Sequence, residues 1–212
     1  MVQINKGDLV RIEYTGKLSS NGQIFDTTSE QVAREVGILQ PGVSYGPKLA
    51  AFGTNTIMMG LEEAIASSQL GKPAEFAIPP AKAFGEKKPE LVRMLSAKEF
   101  ARQNLRPMPG MVLTLDGIAA RVKSVESGRV VVDLNHPLAG EQVSYLLTVS
   151  DVITGPKEKI EALLATLGVQ GTVSQNNGGF VVSISKDVAE RRVLAVRGAI
   201  ETIVPGTTFK VE

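Results

Sequence analysis

Thr56-Ile57-Met58-Met59-Gly60-Leu61-Glu62-Glu63-Ala64-Ile65-Ala66 reads as a short helix behind an apolar entry segment. Leu61 and Ile65 lie four apart and share one face, while Glu62 and Glu63 point elsewhere and set negative charge near the helix N-terminus, where the dipole favours it. A helix this short is not stable alone and needs a wrapper on its apolar side. The flanking segments supply one. Leu9 to Leu18 alternates, with Val10, Ile12 and Tyr14 on one face and Arg11, Glu13 and Thr15 on the other, as in a half-buried strand. Asn21-Gly22 is a hairpin signal, and Ile24-Phe25-Asp26 resumes the strand. Ser29 to Val36 fits a short helix, Gly37 to Tyr45 a loop, and Ala50-Ala51-Phe52-Gly53 leads into the central helix. After it, Gly71-Lys72-Pro73 closes a turn and Ala74 to Ile78 forms another strand.

Pro79 to Pro89 breaks this pattern. It is a proline-rich surface loop carrying Phe84, a ring that is either tucked into a core or functional. Residues 90 to 134 read as a separate small unit. Ser96-Ala97-Lys98-Glu99 is a capping box opening a helix through Phe100. Met111 to Leu115, Ile118 to Val125 and Arg129 to Leu134 are strands joined by turns at Asp116-Gly117 and Ser127-Gly128. Met94, Met108 and Met111 suit either a grip on varied apolar partners or gap-filling in a small core. Asn135 to Gly140 is a turn, after which Val143, Tyr145, Leu147, Val149 and Val152 mark a long strand. The chain therefore leaves its first domain near Phe84 and returns near Leu138.

Thr154-Gly155-Pro156 reads as a linker. Lys157 to Leu167 is an amphipathic helix ended by Gly168, and Val169 to Ser174 and Phe180 to Ser185 are strands around Asn176-Asn177-Gly178-Gly179. Asp187 is expected to cap a second helix bearing Ala189, Val193, Val196, Ile200 and Ile203, with Gly198 weakening it. Thr207 to Val211 is a last strand. The expected division is 1–86 with 138–154, then 87–137, then 156–212 as a small α+β domain.

Composition removes several classes of function. A net charge of +1 argues against electrostatic capture of nucleic acid. No apolar run approaches the roughly 20 residues that span a bilayer, so no membrane partner is expected. Met1-Val2-Gln3-Ile4-Asn5-Lys6 lacks the apolar core of a signal peptide, which makes the cytoplasm the expected location. Without cysteine, thiol nucleophiles, thiolate metal sites and disulfides are excluded. The single histidine, His136, reads as a loop residue. No metal and no cofactor is expected.

Tyr14, Tyr45 and Tyr145 all fall in the first domain, with Phe25, Phe52, Phe76 and Phe84. They form either its core or an aromatic cleft. A buried tyrosine needs a partner for its hydroxyl, and Asp26 is one for Tyr14.

These residues carry a resemblance. Gly7-Asp8-Leu9-Val10 with Tyr14-Thr15-Gly16, then Gly22-x-x-Phe25-Asp26, then Ile57-Met58-Met59-Gly60-Leu61-Glu62, then Ala83-Phe84-Gly85 resemble the FKBP-type peptidyl-prolyl isomerases. Asn135-His136-Pro137-Leu138-Ala139-Gly140 is similar to the motif of the SlyD-like branch, where it marks the return from an insert-in-flap domain. The layout beyond residue 156 resembles the long archaeal members. The resemblance implies an α+β fold, an FKBP antiparallel half-barrel around a short helix. A small, mostly-β insert-in-flap domain would interrupt it and a small α+β C-terminal domain would follow.

It also implies a site. Tyr14, Phe25, Asp26, Met58 and Tyr145 would be catalytic, the Met58 N–H donating to the substrate carbonyl. Ile57, Leu61, Phe84, Tyr45, Ala83, Met94, Met108 and Met111 would bind substrate, the three methionines through the insert. Leu61 stands where many relatives have tryptophan, Phe84 where tyrosine is commoner, and Tyr145 where phenylalanine is usual. The implied partners are unfolded or proline-containing polypeptides, with a possible homodimer through the C-terminal domain. A holdase-type chaperone with little isomerase activity is the alternative.

Overall fold

Alternating strands and short capped helices account for nearly all the regular structure. The structure, a computed structural model, describes residues 4–54, 56–176 and 179–211. The expected turn residues Asn177 and Gly178, and Met1, Val2 and Gln3 of the N-terminal reading, lie outside the described residues. In chain order the elements are β1 (Leu9–Leu18), β2 (Ile24–Thr27), α1 (Glu30–Glu35), β3 (Lys48–Ala51), α2 (Met59–Ser67) and β4 (Ala74–Ile78). There follow β5 (Val92–Ser96), α3 (Ala97–Arg102), β6 (Val112–Leu115), β7 (Ile118–Glu126), β8 (Arg129–Asp133) and β9 (Val143–Ile153). Last come α4 (Pro156–Thr166), β10 (Gly171–Asn176), β11 (Gly179–Ile184), α5 (Glu190–Ile203) and β12 (Thr208–Val211). The chain divides into two compact units, Met1–Ile78 with Gln142–Glu212, and Pro79–Glu141.

In the first unit an antiparallel sheet runs β2-β1-β9-β4, and β3 also pairs with β1. The first half of β1 takes β3 and the second half takes β2, so Leu9 to Leu18 is the spine. Along the β1–β9 ladder the register shifts between Arg11 and Ile12, where Arg11 faces Asp151 and Ile12 faces Val149. Ser150 is the extra residue, and its hydroxyl donates to the Arg11 carbonyl at 3.2 Å. This bulge is why the inward series in the sequence steps from Val149 to Val152 instead of keeping a period of two. Helix α2 buries Gly60, Leu61, Ala64 and Ile65 and packs against β4 and β9. Glu62 accepts the Gly53 N–H at 3.2 Å, tying the entry loop to the helix.

Residues 156–212 were expected to stand apart, but they fall in this same unit. Ile160, Leu164, Val182, Ile184, Val196 and Ile200 share one core with Leu9 of β1. Lys159 on α4 donates to Asp8 at 2.9 Å, both side chains buried. Strand β10 pairs antiparallel with β11, and α5 carries the chain over to β12, which runs parallel to β11. Asp187 does not cap α5. The N-cap is Ala189, without a side-chain hydrogen bond, because the helix begins two residues later than the acidic signal suggested.

The second unit is a sheet in the order β5-β8-β7-β6 with α3 over one face. Phe100, Leu113, Ala120, Val122, Val130 and Val132 form its core. Ser96 caps α3 by accepting the Lys98 N–H. Asp116-Gly117 (φ +50°, +80°) and Ser127-Gly128 (φ +47°, +73°) both turn with paired positive φ, the geometry that matches strand twist in a two-residue hairpin. At the neck, Asn135 brackets Lys88, its Oδ1 accepting the Lys88 N–H at 2.8 Å and its Nδ2 donating to the Lys88 carbonyl at 3.0 Å. The Gly140 N–H donates to Gly85 at 2.9 Å. Phe84 lies flat on His136, centroids 4.6 Å apart and planes within 2°.

Candidate functional site

Strand β1 brings Tyr14 opposite the end of β2, and consecutive threonines fix it there. The Tyr14 N–H donates to Thr28 Oγ1 at 2.9 Å, and the Thr28 N–H returns a bond to the Tyr14 carbonyl at 2.9 Å. Thr15 and Thr27 join their hydroxyls at 2.8 Å, and both Thr27 and Thr28 are buried. So held, the Tyr14 hydroxyl donates to Asp26 Oδ2 at 2.9 Å. Tyr145, from the centre of β9, packs edge-on to Tyr14 (5.6 Å, 61°) and to Phe25 (5.9 Å, 82°). Edge-to-face rings of this kind attract beyond the area they bury. Tyr145 is only 2 % exposed, so it backs the other two rings and presents little surface of its own.

Electrostatics follow from this packing. Burial, then the charge of Asp26 and the hydrogen bond to it, push the Tyr14 phenol well above the ordinary tyrosine range. Burial also pushes Tyr145 up, with Asp26 and Tyr14 adding to it. Both phenols therefore remain hydrogen-bond donors at any physiological pH.

The other expected site residues are distributed as follows. Tyr45 shares with Phe25 and Asp26 a hollow of about 110 Å³, where its hydroxyl accepts the Gln40 N–H at 3.1 Å. Met58 is the N-cap of α2, and among the described residues its N–H makes no hydrogen bond. Leu61 is buried on the inner face of α2. Ile57 lines a different, largely apolar hollow of about 350 Å³, with Leu9, Leu49, Leu163, Leu167 and Ile203. Ala83 and Phe84 belong to the second unit, as do Met94 and Met108, which stand 61 % and 64 % exposed. Met111 is partly buried against that unit's core. Among the described residues no three acidic or histidine side chains are grouped to hold a metal.

Gly16 stands in the motif that carries the resemblance, but sequence reasoning gave it no role. A β-carbon built on it would stand 2.9 Å from both Phe25 Cζ and Tyr145 Cε1, closer than real atoms approach. Gly16 is the seat that lets the two rings close over β1. The available signal was a glycine inside an alternating strand, which marks a bulge or a close approach; the β1–β2 register does shift at Gly16. Thr27 and Thr28 carried no such signal.

Residues 2–99 match the family described as FKBP-type peptidyl-prolyl cis-trans isomerase, and residues 93–138 match FKBP26, IF domain. The chain is 33 % identical over 149 residues to the short-type peptidyl-prolyl cis-trans isomerase of Methanocaldococcus jannaschii, covering 70 % of this chain and 94 % of that protein. It is 31 % identical over 122 residues to the FKBP-type isomerase SlyD of Helicobacter pylori, covering 55 % and 66 %. With SlyD of Treponema pallidum it shares 28 % over 160 residues, covering 74 % and 82 %. No helix among the described residues is long and apolar enough to cross a membrane. The chain belongs to the FKBP-type peptidyl-prolyl cis-trans isomerases, enzymes that interconvert the cis and trans forms of X–Pro bonds.

Proposed function

We propose that the first unit accelerates X–Pro rotation without covalent chemistry, by favouring the twisted amide beside Tyr14, Phe25 and Asp26, and that the second unit holds unfolded client chains in the cytoplasm. The barrier is lost amide resonance, roughly 18–20 kcal/mol, and uncatalysed exchange takes tens of seconds. A twisted amide is less polar than a planar one, so an apolar aromatic wall stabilises it relative to water. Each ~1.4 kcal/mol of such preference gives about tenfold in rate. The observation that carries this reading is the Tyr14–Tyr145–Phe25 cluster, fixed from behind by Gly16 and from the side by Asp26.

A proton relay fits poorly. A general acid works best with a pKa near the operating pH, and both phenols are displaced away from it. Asp26 then orients the Tyr14 hydroxyl. The Met58 N–H, at the N-cap of α2 and without a hydrogen bond among the described residues, would donate to a substrate carbonyl, and Leu61 on the buried face of the same helix would line the site. For the second unit, exposed Met94, Met108, Val112 and Ile118 support the holding of extended apolar segments.

A protease-coupled assay on a short proline peptide tests the first half. Phe25→Ala and Asp26→Ala are expected to lower kcat/KM by about tenfold or more. Unchanged rates in both would remove the pocket from the mechanism. For the second half, residues 89–134 are removed and Lys88 is joined to Asn135 by a short turn, which spares the neck hydrogen bonds. Peptide isomerisation should persist while refolding of a proline-limited unfolded protein slows to near its uncatalysed rate.

A further inference from the structure

The second unit carries charge that its own structure does not neutralise. Residues 79–141 contain ten Lys and Arg against seven Asp and Glu, a net +3 in a chain whose total is only +1. Part of that excess converges on one place. Across the sheet, Val112, Arg121, Asp133 and Val92 occupy successive cross-strand positions on β6, β7, β8 and β5. Asp133 is 8 % exposed, and its Oδ1 is taken by the backbone and side-chain N–H groups of Asn135 at 2.9 and 2.8 Å. Its Oδ2 faces Lys87 at 3.7 Å. Arg121 stands directly opposite it, and neither Arg121 nor Lys123 makes an ion pair among the described residues.

Lys123 reaches this place through a defect in the ladder. The β7–β8 register shifts between Val122 and Ser124, which makes Lys123 the extra residue of a bulge. Bulges re-aim side chains, and this one brings the Lys123 charge close enough to act on the Asp133 carboxyl. Burial by itself would raise that carboxyl, but the Asn135 hydrogen bonds and the Lys87 and Lys123 charges together hold it below the usual range. Three cations thus surround one buried, already saturated carboxylate. They rim a hollow of about 140 Å³ whose remaining lining includes Val112, Ala119, His136 and Pro137. A concave site with unmatched charge focuses its field on ligands of the opposite sign.

We propose that this hollow selects client segments in which an aspartate or glutamate neighbours an apolar side chain, the carboxylate meeting Arg121 and Lys123 and the apolar group entering over Val112 and Pro137. The inference rests on the client-holding reading and adds a substrate class to it. A hollow of this size admits one side chain of an extended chain, not a folded helix, and charge complementarity favours an acidic segment over a basic one.

The test is fluorescence anisotropy of the full chain with three labelled, unstructured peptides, identical except that Glu, Gln or Lys flanks a central leucine pair. The Glu peptide should bind about three- to tenfold tighter than the Gln peptide, the range expected of two exposed ion pairs, and the Lys peptide most weakly. High salt should narrow the spread. Arg121→Gln with Lys123→Gln should erase the Glu advantage while leaving Gln-peptide binding intact, which also shows that the variant is folded. Arg102→Gln on α3, a charge change of the same sign elsewhere in the unit, should keep it. Equal affinity for all three peptides, or loss of the advantage with Arg102→Gln alone, overturns the proposal. Failure of every peptide to bind overturns the client-holding reading and this inference with it.

Discussion

The two antiparallel sheets of this chain are finished in opposite ways. The first is closed with fixed parts: three rings at set angles, a glycine seat beneath them, and a buried ion pair at the root of its central strand. The second has a small core of valine, alanine, leucine and one phenylalanine, and leaves Met94, Met108, Val112 and Ile118 in solvent. Rotating a bond that resists by some 20 kcal/mol calls for preorganised geometry, whereas the client-holding proposed for the second unit would call for adaptable surface. The chain's own chromophores separate the two. All three tyrosines lie in the first unit and the single histidine lies in the second, so tyrosine fluorescence and the His136 proton resonances report on different units.

The largest test of this contrast is Lys159→Met. It strands the buried Asp8 carboxylate, and breaking one side of such a pair costs about 3–5 kcal/mol. The urea midpoint read by tyrosine should fall sharply while the His136 signals hold their native positions. Asp8→Asn together with Lys159→Met should recover most of the loss. Next comes Gly16→Ala. Its methyl would press on Phe25 and on the buried ring of Tyr145, so overpacking should cost about 1–3 kcal/mol and kcat/KM on a proline peptide should drop more than the stability loss explains. A fully active Gly16→Ala would mean that the ring geometry is not critical.

Gly16 also marks how far the sequence could be read. Alternation from Leu9 to Leu18, the Ser96 cap and the two paired-φ turns were legible because each is local chemistry with a known period or cap. The Tyr14–Asp26 bond was legible from the need of a half-buried phenol for an acceptor. Strand β3 escaped because four residues, Lys48 to Ala51, are too few to show alternation. Strand β5 escaped because Val92 to Ser96 sits between a proline turn and a helix cap and is mostly exposed. Leu9, placed in a core with residues more than 150 positions away, and the joining of residues 156–212 to the first unit are long-range outcomes with no local signature. The same holds for Phe84, whose ring rests on His136.

A smaller effect is expected from alkali. The folded pKa values of Tyr14 and Tyr145 lie above their unfolded value of about 10, so their contribution is fully present below that pH. It is lost as pH rises through the folded values, since the unfolded chain then releases protons that the folded one keeps. Stability of the first unit should begin to fall only above about pH 10, and Tyr14→Phe should flatten the decline. Smallest of all, Met94→Ser with Met108→Ser should move stability by no more than about 0.5 kcal/mol, both side chains being exposed, yet weaken retention of an unfolded client. Retention unchanged by the pair would remove Met94 and Met108 from the proposed client-holding surface.

The Asp8–Lys159 pair also sets a timetable. The carboxylate is made 151 residues before its lysine, and at about 5–20 residues per second the ribosome needs on the order of ten seconds to bridge that gap. Throughout this interval the opening strand carries a charge it cannot yet bury. An enzyme that interconverts X–Pro bonds must therefore wait for its own second half before its sheet can close.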